Sequence, residues 1–215
     1  MFPRIPALLL ALATGAASTL MAADVVVIVR DAKGQPVRDA VVSVLPLSGP
    51  AATARATAKV EIEQRGQEFH PYVTVVQTGT TVGFPNRDSV EHHLYSEAAA
   101  KRFEVPLYAP GREEALVFDR PGIVPMGCNI HDWMVAYLVV VDTPWFLRSD
   151  ANGEGRIASV PPGRYRADVW HPRLGRTLQR EVEVREDAAL LEFSLPLKPD
   201  RRVRRGADTG SQGYR

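Results

Sequence analysis

From Asp24 onward, the chain contains no stretch of ten or more residues in which apolar side chains recur with the 3.6-residue period of an amphipathic helix. Short runs rich in β-branched residues stand between turn residues instead, and 16 glycines and 17 prolines are spread over the 215 residues. We therefore expect an all-β protein built from sandwiches. The predicted strands are 25–29, 40–45, 72–76, 103–108, 115–118, 135–141, 164–170 and 189–195.

Turn motifs at the two ends of the body belong to one pattern. The sequence D-A-K-G-Q-P-V at 31–37 predicts a hairpin turn between two strands. This opening resembles the first hairpin of the carboxypeptidase regulatory-like, transthyretin-like β-sandwich, in which a D-x-x-G turn and a P-P-G-x-Y strand follow closely. Here those two motifs stand much later, at 150–153 and 161–165. The resemblance therefore implies that a second domain interrupts the sandwich.

The domain boundaries follow from this interruption. The resemblance implies a discontinuous sandwich made of 24–48 and 144–197, with the domain 59–143 inserted into one of its loops. Insertion of this kind is tolerable where the termini of the inserted domain lie close together at the surface.

The two ends of the chain differ from its body. Residues 1–23 combine Arg4, an apolar run and small residues, which predicts a signal peptide for export to the periplasm and no membrane segment in the mature chain. Residues 198–215 carry six basic and two acidic residues with little apolar content, which predicts a disordered basic tail. The whole chain has a formal charge of +1, so the body without Arg4 and the tail carries −4. We expect no nucleic-acid partner for such a body.

Cys128 is the only cysteine. A single thiol excludes an internal disulfide, a four-cysteine zinc site, an iron–sulfur cluster and c-type haem attachment, each of which needs at least two cysteines. In an oxidising compartment it is prone to oxidation unless something occupies it. His131 follows three residues later and Met134 three residues after that. Thiolate, imidazole and thioether suit copper, and a second histidine completes the blue-copper set.

The second histidine comes from the pair His92 and His93. Successive side chains of a strand point to opposite faces, so His92 shares a face with Val90 and Leu94, which is the more apolar face. A ligand that meets a cysteine at the end of a sandwich should point with the core. We therefore choose His92 and keep His93 as the alternative.

Further motifs occur in a fixed order around these residues: Y-V-T-V at 72–75, G-T-T-V-G-F at 79–84, N-x-D-x-x-x-H ending at His92, P-G at 121–122 and C-x-x-H-x-x-M at 128–134. Together they resemble the cupredoxins, a family of small blue-copper domains. Within that family they are similar to the amicyanin- and plastocyanin-like members and to bacterial methylamine utilisation proteins.

The resemblance implies a Greek-key β-sandwich with one type 1 copper ion, held by His92, Cys128 and His131 with Met134 as the long axial ligand. It also implies a carrier of single electrons, not an enzyme, whose partner is a redox protein such as a cytochrome c or a dehydrogenase. One position departs from the pattern. Cupredoxins often have Asn or Thr directly after the first histidine, as part of the hydrogen bonding that steadies the site, and this chain has His93.

Two other functions are compatible with these residues: an exported binding module that docks onto another protein, and a copper-delivery protein. The rate of copper exchange would separate delivery from electron carriage. Catalysis with Cys128 as nucleophile and His131 as base is the weakest hypothesis, because two groups this close on one loop more naturally chelate a metal. We expect Ile130 and Trp133 to form an apolar rim around His131. The sequence leaves the oligomeric state open.

Overall fold

The computed structural model of the chain describes residues 22–48, 59–186 and 189–202, and every regular element within these ranges is a strand. All eight predicted strands are present, with ends shifted by at most two residues, so the all-β fold class is confirmed. In chain order the strands are β1 Ala23–Asp31, β2 Val41–Pro46, β3 Val60–Glu61, β4 Glu63–Arg65, β5 Glu68–His70, β6 Val73–Gln77, β7 Thr80–Pro85, β8 His92–Glu97, β9 Arg102–Tyr108, β10 Glu113–Phe118, β11 Gly122–Gly127, β12 Val135–Val141, β13 Phe146–Arg148, β14 Glu154–Val160, β15 Gly163–Trp170, β16 Leu178–Val184 and β17 Ala189–Leu195.

The ends of the chain are described only in part. Residues 1–21 of the predicted export signal and 203–215 of the predicted tail lie outside the described ranges. Two tail residues within the described range contact the body: the Lys198 N–H donates to the Arg173 carbonyl at 3.0 Å, and the Arg202 guanidinium lies 3.9 Å from the centroid of the Tyr72 ring. Among the described residues, no helix has the length and apolar character needed to cross a membrane.

One hydrophobic core is built from two separate parts of the chain, 23–44 and 147–195. It lies between a sheet of order β14-β1-β17, in which β1 and β17 are parallel, and a sheet of order β13-β2-β15-β16. Because successive side chains alternate between faces, Val25, Val27 and Val29 of β1 enter this core, as do Val42 and Val44 of β2. The N-terminal and C-terminal segments therefore bury their apolar residues against each other.

The turn at 31–37 is present, but its setting differs from our expectation. The Asp31 N–H donates to the Gln35 carbonyl at 2.8 Å, and the Asp31 carboxylate accepts the N–H groups of Lys33 and Gln35. The chain folds back on β1 through an antiparallel bridge between Arg30 and Pro36, but the two strands that the turn joins lie in different sheets, so the predicted hairpin between these strands is wrong. β14 and β17 occupy both edges of β1, and the chain has to cross to the other sheet.

A second core lies between the five-stranded sheet β6-β12-β11-β8-β9 and the three-stranded sheet β10-β7-β3. Phe84, Leu94, Phe118 and Leu138 are fully buried in it, and the β4–β5 hairpin adds Phe69. β8, β11 and β12 are neighbours in the larger sheet, so residues at the ends of these strands come close together.

β12 is apolar on both faces. Ala136 and Leu138 face the second core, and the opposite face belongs to a third buried cluster that joins the two parts of the molecule. On β13, Arg148 donates to the Val73 carbonyl of β6 at 2.7 Å across the same junction. The members of this junction cluster are Val41, Val73, Val139, Val141 and Trp170.

Candidate metal centre

Three side chains of metal-ligand type meet at one end of the five-stranded sheet. His92 is the first residue of β8, and Cys128 directly follows β11, which pairs with β8. The Cys128 Sγ lies 3.9 Å from Nδ1 of His92 and 3.6 Å from Nδ1 of His131. The three donor atoms lie within 4.8 Å of one another. Pairing between strands thus brings together a histidine and a cysteine that are 36 positions apart.

The loop between β11 and β12 is closed by its own backbone. The Cys128 N–H donates to the Met134 carbonyl at 3.3 Å, and the Met134 N–H donates to the His131 carbonyl at 2.9 Å. Cys128 and Met134 are buried in the second core, His131 is half-buried, and Ile130 is 49% exposed. The loop therefore directs sulfur ligands inward and leaves one imidazole at the rim.

The surroundings of Cys128 favour its thiolate form. Burial raises the pKa of the thiol, but hydrogen bonds from the His92 side chain and from the backbone N–H groups of His93 and Ile130 lower it by more. The net pKa of Cys128 lies below its ordinary value. Because the thiolate is the form that binds metals, these surroundings favour coordination of a metal by Cys128.

His92 is oriented by a carboxylate. The ring is fully buried, and its Nε2–H donates to the Asp88 carboxylate at 2.7 Å. Burial lowers the pKa of His92, but Cys128 and Asp88 raise it by more, so the net shift is upward. Holding Nε2 in this way leaves Nδ1 directed at Cys128, an arrangement common for histidines that bind metals.

Asp88 is a site residue to which the sequence motif assigned no role. Asn86 shapes the turn that carries it: the Asn86 Nδ2 donates to the carbonyls of Val90 at 2.9 Å and Tyr108 at 3.2 Å, and its Oδ1 accepts the Asp88 N–H at 3.0 Å. This side-chain turn explains the Asn and Asp of the N-x-D-x-x-x-H motif. A carboxylate four residues before a ligand-type histidine is the signal that could have identified it.

His93, the alternative ligand, lies outside the cluster. Its Nε2–H donates to the Glu104 carboxylate at 2.9 Å, on the other side of the strand from Cys128. The pairing of β8 with β9 shifts register between His92 and Leu94, and such a bulge re-aims side chains and lets adjacent histidines both be buried. Although this chain has His93 where cupredoxins often have Asn or Thr, the backbone hydrogen bond to the cysteine is kept, because the His93 N–H donates to Cys128.

Other polar residues of the chain lie apart from the cluster. His171 is buried in another part of the molecule, and the His70 side chain is 42% exposed. Glu91 and Asp132, which flank His92 and His131 in the sequence, are exposed. Trp133 is half-buried with its ring centroid 5.4 Å from that of His131, which agrees with its expected place at the rim.

The residues present fit copper. One cysteine sulfur and two imidazole Nδ1 atoms within 4.8 Å of one another match the cysteine and two histidines of blue-copper sites, and Met134, buried in the same core, would supply a weak thioether. His92, Cys128 and His131 would hold the ion. A bound copper ion supplies a one-electron couple.

No protein-family model matches the chain, and no curated protein matches it. A purple cupredoxin from Nitrosopumilus maritimus is 25% identical over 39% of this chain and 100% of that chain, with a TM-score of 0.36. An amicyanin variant in its Cu(I) form is 19% identical over 46% of this chain and 98% of that chain, with a TM-score of 0.37. A copper-containing nitrite reductase from Thermus scotoductus SA-01 is 24% identical over 54% of this chain and 28% of that chain, with a TM-score of 0.38.

At these TM-scores the similarities add no weight to a function, which has to rest on the geometry of the site. The solved structures to which this chain is similar include a cupredoxin and an amicyanin, and its cluster of His92, Cys128 and His131 fits a cupredoxin-like copper site.

Proposed function

We propose that this protein binds one type 1 copper ion and carries single electrons between redox proteins. The observation that carries the proposal is the approach of two imidazole Nδ1 atoms, from His92 and His131, to the buried Sγ of Cys128. Met134 would supply the weak thioether ligand, because it ends the same short loop and is buried with Cys128 in the second core.

The setting of the ligands suits electron transfer. His92 and Cys128 stand at the ends of paired strands, and the loop that carries His131 is closed by backbone hydrogen bonds. A scaffold of this kind holds nearly one geometry in both oxidation states, so little reorganisation accompanies the electron. With Met134 as fourth ligand, no coordination position is left for a substrate, which favours a carrier over an enzyme.

We further propose that the carrier acts in the periplasm, where a redox protein such as a cytochrome c or a dehydrogenase is its partner. The composition of residues 1–23 supports export. Half-buried His131, at the rim beside exposed Ile130, is the proposed exit for the electron. In the same proposal, 59–143 is the copper domain and 24–48 with 144–197 is the discontinuous sandwich that carries it.

Loading the purified protein with Cu(II) tests this function. We expect an intense visible absorption from thiolate-to-copper charge transfer, which Cys128→Ala and His92→Ala abolish. His93→Ala is the matched control, because this neighbour lies outside the cluster, and the variant should keep the absorption. Met134→Leu should keep it as well and shift the reduction potential, since the axial ligand tunes the potential of such sites.

Two results would contradict the proposal. The first is wild-type protein that binds Cu(II) without the visible band. The second is a band that survives Cys128→Ala. A band lost in His93→Ala and kept in His92→Ala would retain the copper site but reverse the choice of histidine.

A further inference from the structure

The β4–β5 hairpin ends in a two-residue turn, Gly66 and Gln67, which we name the bridging turn. Both residues have positive φ, 63° and 56°, as the tightest hairpin turns require. The hairpin is anchored in the body: Phe69 lies in the second core, and the fully buried Gln64 accepts the Arg87 N–H through its carbonyl at 2.8 Å. The bridging turn is therefore held in one place.

One side of the bridging turn binds the carboxylate that orients His92. The Gly66 N–H donates to the Asp88 Oδ1 at 2.5 Å, and the Gln67 N–H donates to the Asp88 Oδ2 at 2.9 Å. The Asp88 Oδ2 also accepts the His92 Nε2–H at 2.7 Å. Two backbone groups thus fix both oxygens of the carboxylate against which the histidine ring rests.

The other side of the bridging turn binds the residue beside His131. The Gln67 carbonyl accepts the indole N–H of Trp133 at 3.0 Å, and the Trp133 ring packs on the His131 ring with a centroid separation of 5.4 Å. Each of the two histidines of the cluster is therefore one side chain away from the same turn.

We propose that the bridging turn is a positioning device that sets the orientation of both copper-binding histidines at once, through Asp88 on one side and Trp133 on the other. Its effect on copper rests on the proposed function. Its effect on the two rings does not, because every contact in the bridge is made by protein atoms alone. Distortion of the turn therefore disturbs both histidines, although no ligand is changed.

The backbone of Gln67 allows a direct test. Valine, which is β-branched, strongly disfavours positive φ, so Gln67→Val distorts the turn, whereas Gln67→Asn tolerates positive φ and is the matched control. In the metal-free protein we expect Gln67→Val to speed hydrogen exchange of the Trp133 indole N–H and to shift the NMR signals of both His92 and His131. Gln67→Asn should leave all three close to wild type.

Copper supplies the second readout. We expect the Kd for Cu(II) to rise about tenfold or more in Gln67→Val, as is usual when the partners of metal ligands are lost. Trp133→Phe keeps a ring beside His131 but lacks the indole N–H, and Asp88→Asn keeps the shape of the carboxylate. Because both variants break contacts with one turn, we expect their effects on the Kd to be non-additive.

The outcomes are distinguishable. If Gln67→Val loses the indole protection while both histidine signals stay unchanged, the bridging turn does not position the rings and the inference fails. Gln67→Val could fail to give folded protein. In that case, additive effects of Trp133→Phe and Asp88→Asn on the NMR signals of His92 and His131 in the metal-free protein would overturn the inference. Absence of the thiolate-to-copper band in wild-type protein would remove the proposed function, and the metal-free readouts would still decide the role of the turn.

Discussion

His171 is a buried titratable residue outside the cluster of His92, Cys128 and His131. It directly follows β15, and the Arg173 N–H donates to its Nδ1 at 3.1 Å. Burial, and then the charge of Arg173, lower the pKa of His171 to about 4, against smaller raising effects from Asp39, the Arg38 backbone and Asp200. The folded protein therefore keeps this imidazole neutral at pH 7.

This gives a pH dependence of stability with a definite sign. The folded-state pKa, about 4, lies below the ordinary value of 6.5, so folding releases a proton from His171 between these two values. Its contribution to the free energy of unfolding is complete above pH 6.5 and is lost as the pH falls towards 4, by about 3 kcal/mol in all. We expect urea denaturation of metal-free His171→Gln to depend less on pH than the wild type in this window. Equal slopes for the two proteins would contradict the prediction.

At the candidate metal centre, the sequence predicts the types of the ligands better than it predicts where the surrounding residues lie. The donor types of Cys128, His131 and Met134 follow from seven consecutive positions, because a short loop leaves them few places to go. The choice of His92 over His93 rested on strand alternation, and the structure places His92 beside Cys128 through a strand whose register shifts at this point. Asp88 is held by the N–H groups of Gly66 and Gln67. Strand alternation cannot predict this contact, because the residues lie more than 20 positions apart in the chain.

Strand length and exposure explain only part of which strands the sequence predicted, because β7, β8 and β11 have six residues each and were missed. β12, with seven apolar or aromatic residues in a row, has both faces buried and was readily predicted. β3, β4, β5 and β13 have two or three residues each, too few for a periodic pattern. β14 and β16 carry exposed polar side chains over much of their length, which weakens the β-branched signal.

The outer face of β12 gives a prediction at the level of the element. Val139 belongs to the junction cluster and is buried, whereas Val117 of β10 is 48% exposed. We expect Val139→Lys to lower the free energy of unfolding by at least ~2 kcal/mol, because it places a charge in an apolar junction. Val117→Lys is the matched control and should change it by less than about 0.5 kcal/mol. Equal, small changes in urea denaturation would mean that this face of β12 is open to solvent.

At the scale of the whole molecule, the junction holds the two cores together with polar as well as apolar contacts. Besides its bond to the Val73 carbonyl, Arg148 lies 3.6 Å from the Asp39 carboxylate, so it links three segments of the chain. Val73 is fully buried, and its carbonyl would lose this partner if Arg148 were removed.

We therefore expect Arg148→Ala to lower the free energy of unfolding by about 1–3 kcal/mol, the usual cost of leaving a buried acceptor without its partner. Arg185→Ala is the control, because its ion pair with Glu183 is largely exposed and should contribute less than about 1 kcal/mol. Denaturation curves of both variants, recorded under the same conditions, provide the measurement. Similar losses in the two would show that the Arg148 contact adds nothing to the junction.

The sequence by itself determined the strand-rich character of the chain and the chemistry of the ligand loop. Both depend on residues close together in the chain: alternating apolar side chains define a strand, and a short loop keeps Cys128, His131 and Met134 within reach of one another. The tertiary structure alone decided that β1 and β2 lie in different sheets, that β12 is buried on both faces, and that one turn contacts Asp88 and Trp133. Those features depend on the order in which distant strands pair. Local periodicity indicates where a strand lies in the sequence but not which other strand it pairs with.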